Sequence, residues 1–229
     1  MREIVLDTET TGFDPLGGHR VVEIGCIELL NHMPTGREFH VYLNPERDMP
    51  AEAEAVHGLS AAFLADKPLF ASLADELLGF VGDSPIIAHN ANFDINFINA
   101  ELRRAGRAML PPERAIDTVM LARRKFPGAQ ASLDALCRRF QIDLSERGKH
   151  GALLDAKLLA KVYLELIGGR EPGLALASAE ITVDVTEIRT RTAREPRPHH
   201  PSGEELAAHA AFLAKLKNPI WLRTLDAAG

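Results

Sequence analysis

The chain has 229 residues, 46% hydrophobic and 25% charged, with a formal net charge of -6. That balance suits a globular domain with an appendage and offers no global attraction for nucleic acid, so any DNA must be met by a local basic patch or by metal ions. No run approaches the roughly 18 apolar residues of a membrane span, and no signal-like segment precedes the first strand, so a cytoplasmic protein is expected. Cys26 and Cys137 lie far apart inside apolar patterns and are expected to be buried free thiols.

In Arg2 to Glu9, the residues Ile4, Val5 and Leu6 read as a short buried strand, and alternation sends Asp7 and Glu9 to one face. After a turn region from Gly12 to Gly18, Val21 to Leu30 reads as a long central strand. A third strand, Glu38 to Leu43, follows a turn containing Pro34 and Gly36. Short connections between these three predict an antiparallel meander. The pattern then changes. Leu73, Leu77, Leu78 and Val81 recur at helical spacing within Ser72 to Val81, Pro85 to Ala88 is a short buried strand, and helical spacing returns through Ile95, Ile98 and Leu102 as far as Gly106. A short strand at Ala115 to Asp117 precedes a helix over Val119 to Arg124. Ser132 caps another helix, whose apolar face is Leu133, Leu136, Cys137 and Phe140. The last long helix of the domain spans about Leu153 to Ile167, ahead of Gly168 and Gly169. The fold class is α/β, a mixed sheet flanked by helices.

Composition shifts after Gly169. Pro172, Pro196, Pro198 and Pro201 with scattered charges mark residues 170–201 as a linker following a domain at 1–169. Within it, Ile181, Val183 and Val185 alternate as in a short strand or an extended docking peptide. Ser202 to Glu205 has the spacing of a capping box, and Leu206, Ala210, Leu213 and Leu216 form the apolar stripe of a final helix. The triplet Ile220, Trp221 and Leu222 follows that helix within the 202–229 segment and is suited to docking on its own domain or on a partner.

Three stretches carry chemistry. Asp7 and Glu9, side by side, repel and raise each other's pKa unless a proton or cation lies between them, and hard cations such as Mg²⁺ choose carboxylate oxygens. Taken alone, Asp7 to Gly12 reads more simply as an acidic turn with capping threonines. Asp94 lies in His89-Asn90-Ala91-Asn92-Phe93-Asp94, where a strand ends and a helix begins, which is where such sheets place ligands. A plain helix cap is the competing reading there. In His150 to Asp155, five residues on a helix turn the side chain by about 140°, so the two cannot share a site from one regular helix. His150 must lie on the preceding loop or at a frayed helix start.

These stretches, D-T-E at 7–9, H-N-A-N-F-D at 89–94 and H-G-A-L-L-D at 150–155, occur in the order and approximate spacing of the DEDD exonucleases, and the chain resembles the subgroup with a catalytic histidine. Between them, F-H-V-Y-L-N-P at 39–45, V-H-G-L-S at 56–60, F-P-G at 126–128, S-L-D-A-L-C at 132–137 and V-Y-L at 162–164 are similar to the epsilon-subunit family of bacterial DNA polymerase III, over roughly residues 2–169. The resemblance implies a ribonuclease-H-like, mixed five-stranded sheet with a flexible C-terminal tail. It also implies 3′-to-5′ proofreading exonuclease activity that releases nucleoside 5′-monophosphates from mismatched DNA 3′ ends.

Carried onto these positions, Asp7, Glu9, Asp94 and Asp155 would hold two divalent ions, Mg²⁺ or Mn²⁺, and His150 would be the general base. Thr10, Thr11, His57, Asn90 and Phe93, together with Asp7, Glu9 and Asp155, would face the terminal nucleotides; capping and packing explain the first five equally well. Ile220, Trp221 and Leu222 would dock on the polymerase alpha subunit. The family's sliding-clamp contact would fall at Arg170 to Leu176, which lacks the glutamine that opens such a motif. A free-standing DEDD exonuclease acting on RNA or short oligonucleotides, and a scaffold that stabilises a polymerase, are the competing functions.

Overall fold

Along β1 (Arg2–Thr10), Ile4 and Leu6 enter one buried layer and Val5 another, so this strand is covered on both faces. The computed structural model describes residues 1–145, 150–168 and 200–217. β1 pairs antiparallel with β2 (Val21–Leu30), which pairs antiparallel with β3 (Met33–Tyr42). Two short helices follow, α1 (Ala51–His57) and α2 (Ala61–Leu64), then α3 (Phe70–Val81), β4 (Ile86–Ala88), α4 (Ala91–Arg104), β5 (Ala115–Asp117), α5 (Thr118–Lys125), α6 (Leu133–Arg139) and α7 (Ala152–Leu166). β4 runs parallel to β1 and β5 parallel to β4, giving a five-stranded mixed sheet in the order β3-β2-β1-β4-β5. Ala74, Leu77 and Val81 of α3 and Ile95, Ile98 and Leu102 of α4 cover the Ile4/Leu6 face, while α5, α6 and α7 cover the Val5 face. This is the expected α/β sheet with helices on both sides, and both cysteines are buried free thiols.

β3 begins five residues earlier than the expected Glu38. The reversal is the two-residue turn Asn31–His32, whose φ angles of 51° and 67° suit a tight hairpin, and pairing resumes at once as Leu30 opposite Met33. Pro34 and Gly36 therefore lie inside the strand. β3 is a sheet edge, where a missing N–H is tolerated, and a register irregularity between Ile27 and Leu29, with Gly36 at φ 86°, marks a local bulge. α1 and α2 were not expected because neither carries a long apolar stripe: His57 is the buried residue of α1 and Leu64 that of α2. Ser60 caps α2 by accepting from Phe63 N at 3.2 Å.

A separate unit contains α8 (Gly203–Leu213). Its expected capping box is present: Ser202 N donates to Glu205 Oε2 at 2.8 Å, and Glu205 N donates to Ser202 Oγ at 3.3 Å. The helix ends three residues before Leu216, so that side chain falls in the turn beyond it. Ile181, Val183 and Val185, the 170–176 segment and the triplet Ile220, Trp221 and Leu222 lie outside the described residues.

One glycine decides how α7 meets the sheet. Gly25 sits in β2 directly opposite Asp7, and a Cβ built on it would come within 2.3 Å of Leu153 N and 2.4 Å of the Ala152 carbonyl carbon. The backbone of α7's first turn thus rests on the bare strand, and no side-chain rotamer can relieve that contact. Gly25→Ala is expected to destabilise the protein by about 1 to 3 kcal/mol, the usual cost of overpacking, measured as a lower denaturant midpoint. An unchanged midpoint would contradict the close approach.

Candidate active site

Strand alternation puts Glu3, Val5, Asp7 and Glu9 on the α7 side of β1. The line is anchored at its far end, where Tyr163 of α7 donates to Glu3 Oε1 at 2.8 Å, and in the middle, where Val5 joins the α7 core layer. At the near end α7 starts at Ala152 and places Asp155 in its first turn. His150 precedes the helix, as the angular argument required, and its Nδ1 lies 3.2 Å from Asp155 Oδ2. Its backbone N donates to Val56 O of α1 at 3.4 Å. Among the described residues, ligand atoms of Glu9, His150 and Asp155 all lie within 4.8 Å of one another.

Asp94 arrives from the other layer. The chain leaves β4 through Asn90, a left-handed residue at φ 69° and ψ 55°, and this sharp turn starts α4 so that Asp94 occupies its first turn. Asp117 Oδ1 accepts from Asn90 N at 3.2 Å and from Val119 N at 2.8 Å, tying the ends of β4 and β5 together. Thr8, pointing away from α7, donates to Asp94 Oδ1 at 2.8 Å.

The result is a concentration of negative charge. Loss of water raises the Asp7 carboxyl well above its ordinary range, and repulsion from Asp94, Glu9, Asp155 and Glu23 adds to it. Burial pushes Asp94 up to about 7 against the hydrogen bonds from Thr8 and the backbone, with Asp117 repelling it further. Carboxylates that hold protons this tightly lack a countercharge. A divalent cation would supply one, and an all-oxygen set with one neighbouring imidazole suits a hard ion.

An exonuclease family model of the RNase T type matches residues 4–163. The DNA polymerase III subunit epsilon of Rickettsia felis is 49% identical over 222 residues, covering 94% of this chain and 97% of that protein. That of Escherichia coli K12 is 42% identical over 223 residues, covering 93% and 92%. The chain belongs to the DNA polymerase III epsilon-subunit family of exonucleases. Exonuclease X, solved in complex with 5′ overhanging duplex DNA, matches with a TM-score of 0.57 and 26% identity over 72% of this chain and 91% of that one. The nuclease domain of 3′hExo, a DEDDh family member bound to rAMP, shares the fold with a TM-score of 0.64 at 17% identity, covering 73% and 92%. Enzymatically, this epsilon-family chain is a 3′-to-5′ exonuclease of the proofreading type. No helix among its described residues is long and apolar enough to cross a membrane.

Beside the carboxylates of this epsilon-family site lies a cavity of about 340 Å³, a size that fits a small ligand. Glu9, Thr10, Thr11, His57 and Phe93 line it. Phe93 presents a ring backed by Phe97 at 4.8 Å, and His57 is buried, with Nδ1 accepting from Leu59 N at 3.0 Å. The threonine hydroxyls are engaged in the loop itself: Thr10 Oγ1 donates to Gly12 O at 2.6 Å, and Thr11 Oγ1 accepts from Arg20 N at 2.9 Å. Asn90 is exposed and its conformation serves the turn, so it is absent from this cavity's lining.

Three residues that sequence reasoning passed over border the site. Phe13, 90% exposed, lines this cavity and a larger one of about 690 Å³ that also holds Asn96, Asn99 and Arg103. Glu23 and Gly25 face the site from β2. A lone Gly inside a strand pattern is the usual sign of close backbone approach, and that signal was present at Gly25.

In the unfolded chain Asp94 titrates near its ordinary value of about 3.9, far below its folded value. Between the two the folded state binds more protons, so this contribution to stability is complete at low pH and is lost as pH rises through 7. With metal chelated, the thermal midpoint is expected to fall as pH is raised from about 5 to 8, and Asp94→Asn should flatten that slope. Added Mn²⁺ should restore more stability at the upper end. A chelated midpoint that holds level or rises would contradict the charge crowding.

Proposed function

We propose that the chain acts as the proofreading subunit of a bacterial DNA polymerase III, hydrolysing the last phosphodiester of a mismatched DNA 3′ end and releasing a nucleoside 5′-monophosphate. The observation that carries this reading is the meeting of Asp7, Glu9, Asp94 and Asp155 from three remote stretches, with His150 beside Asp155. Exonucleases of this family depend on divalent metal, and here the four carboxylates would hold two ions, Mg²⁺ or Mn²⁺. When bound, such a pair acidifies the attacking water and stabilises the leaving 3′ oxygen.

The chain's own groups do the rest. A carboxylate can only accept, so Asp155 Oδ2 takes the Nδ1 hydrogen of His150 and leaves the Nε2 lone pair outward. The ring is half exposed, and a neutral imidazole can take a proton from water. Phe93 and Phe13 offer faces on which a terminal base can stack, and Thr10 and His57 fix the wall beside it. An unpaired end enters more cheaply than a paired one because less pairing and stacking is lost, so mismatch preference needs no base reading.

Residues 1–169 are the nuclease domain in this account, 170–201 connect, and 202–229 dock on the polymerase through Ile220, Trp221 and Leu222. The names of the relatives support both the DNA substrate and the polymerase assembly.

Asp7→Ala and Asp155→Ala are expected to abolish Mg²⁺-dependent nucleotide release while leaving circular dichroism unchanged. His150→Ala should lower the rate by about 10² to 10⁴. The assay compares matched DNA, DNA with a 3′ mismatch, and RNA, and the mismatched DNA should be digested fastest. Normal release by either aspartate variant would overturn the reading.

A further inference from the structure

Glu23 is a fifth carboxylate at the site, and the four-carboxylate set leaves it without a task. On β2 it stands directly opposite Glu9, an arrangement that costs stability because like charges facing across a strand pair repel. It is 3% exposed, close enough to raise Asp7, and held by a hydrogen bond from His40 Nε2 to its Oε1 at 2.7 Å. His40 sits on β3 opposite Gly25, the bare position onto which α7 descends, so histidine, glycine and glutamate share one face. Both Glu23 oxygens lie 4.0 Å from where a Cβ on Gly151 would stand. Gly151 is the N-cap of α7 and the immediate neighbour of His150. The His40 ring is in turn braced edge-on by Tyr42 at 4.9 Å, and Tyr42 by Phe63 at 5.1 Å.

We infer that Glu23, braced by His40, is a positioning residue for His150: its carboxylate backs the Gly151 joint and fixes where the imidazole enters the site. The inference rests on the proposed role of His150 as general base. Glu23 lies beside the joint next to that histidine rather than against the reacting atoms, and a structural carboxylate with no such duty would be better replaced by an apolar residue at this buried, like-charged position.

A double-mutant cycle in the full-length chain tests it. Glu23→Ala is expected to lower kcat for a 3′-mismatched oligonucleotide on the order of tenfold, with KM and the Mn²⁺ affinity unchanged. His40→Ala should give a similar loss, and Glu23→Gln, which keeps an acceptor for His40, should recover most of the rate. In a His150→Ala background, Glu23→Ala should cost nothing further. An undiminished loss in that background, or a weakened Mn²⁺ affinity, would overturn the inference and make Glu23 part of the metal site or the scaffold. Asp7→Ala run alongside separates the two claims, since its inactivity upholds the nuclease reading whatever Glu23 does.

Discussion

Carboxylates forced together at the carboxyl end of β1 are the constraint around which this protein is built. A folded chain ordinarily keeps such groups apart or pairs each with a cation. Here Asp7 sits among Asp94, Glu9, Asp155 and Glu23 and is driven toward its protonated form. Nearby ion pairs are committed to other carboxylates: Arg20 binds Glu101 at 2.6 Å and Arg2, at the far end of β1, binds Glu28 at 2.6 Å. Repulsion is therefore left in place at one end of the sheet while every layer around it is well packed. That pattern fits a protein whose missing charge arrives with its cofactor, and it links stability, metal and pH in one equilibrium.

The architecture that tolerates this cost comes from two opposed layers meeting at one strand end. α7 lies along the odd-numbered side of β1 and brings Asp155, with His150 just outside the helix; α4 comes from the other layer and brings Asp94. Gly25 lets the first helix approach, and the left-handed Asn90 starts the second. Each sets the direction of a carboxylate, and a displacement of about 1 Å at such a site is enough to cost two orders of magnitude in rate.

Much of this was legible in the chain. The strand at Val21 to Leu30 has the expected bounds, the short strand at Ala115 to Asp117 likewise, and His150 lies off the helix for the angular reason given. Local pattern carries such features because burial on two faces writes a continuous apolar run, and a helix face writes a period near four. β3 was misjudged because Pro34 and Gly36 are turn residues by habit, and only the pairing partner reveals an edge strand with a bulge. α1 escaped because it has no stripe, although it supplies His57 to the cavity and an acceptor to the His150 backbone. Register hid Glu23, and although the lone Gly25 signalled a close approach, nothing in a linear reading says that it would stand opposite Asp7 and Glu23 opposite Glu9.

The central claim, that paired divalent ions relieve the crowding, is tested most directly by anomalous diffraction from crystals grown with Mn²⁺ and a nucleoside 5′-monophosphate. The account predicts two manganese peaks about 3.5 to 4 Å apart, enclosed by Asp7, Glu9, Asp94 and Asp155. Manganese bound only away from those carboxylates, or none bound at saturating concentration, would contradict it.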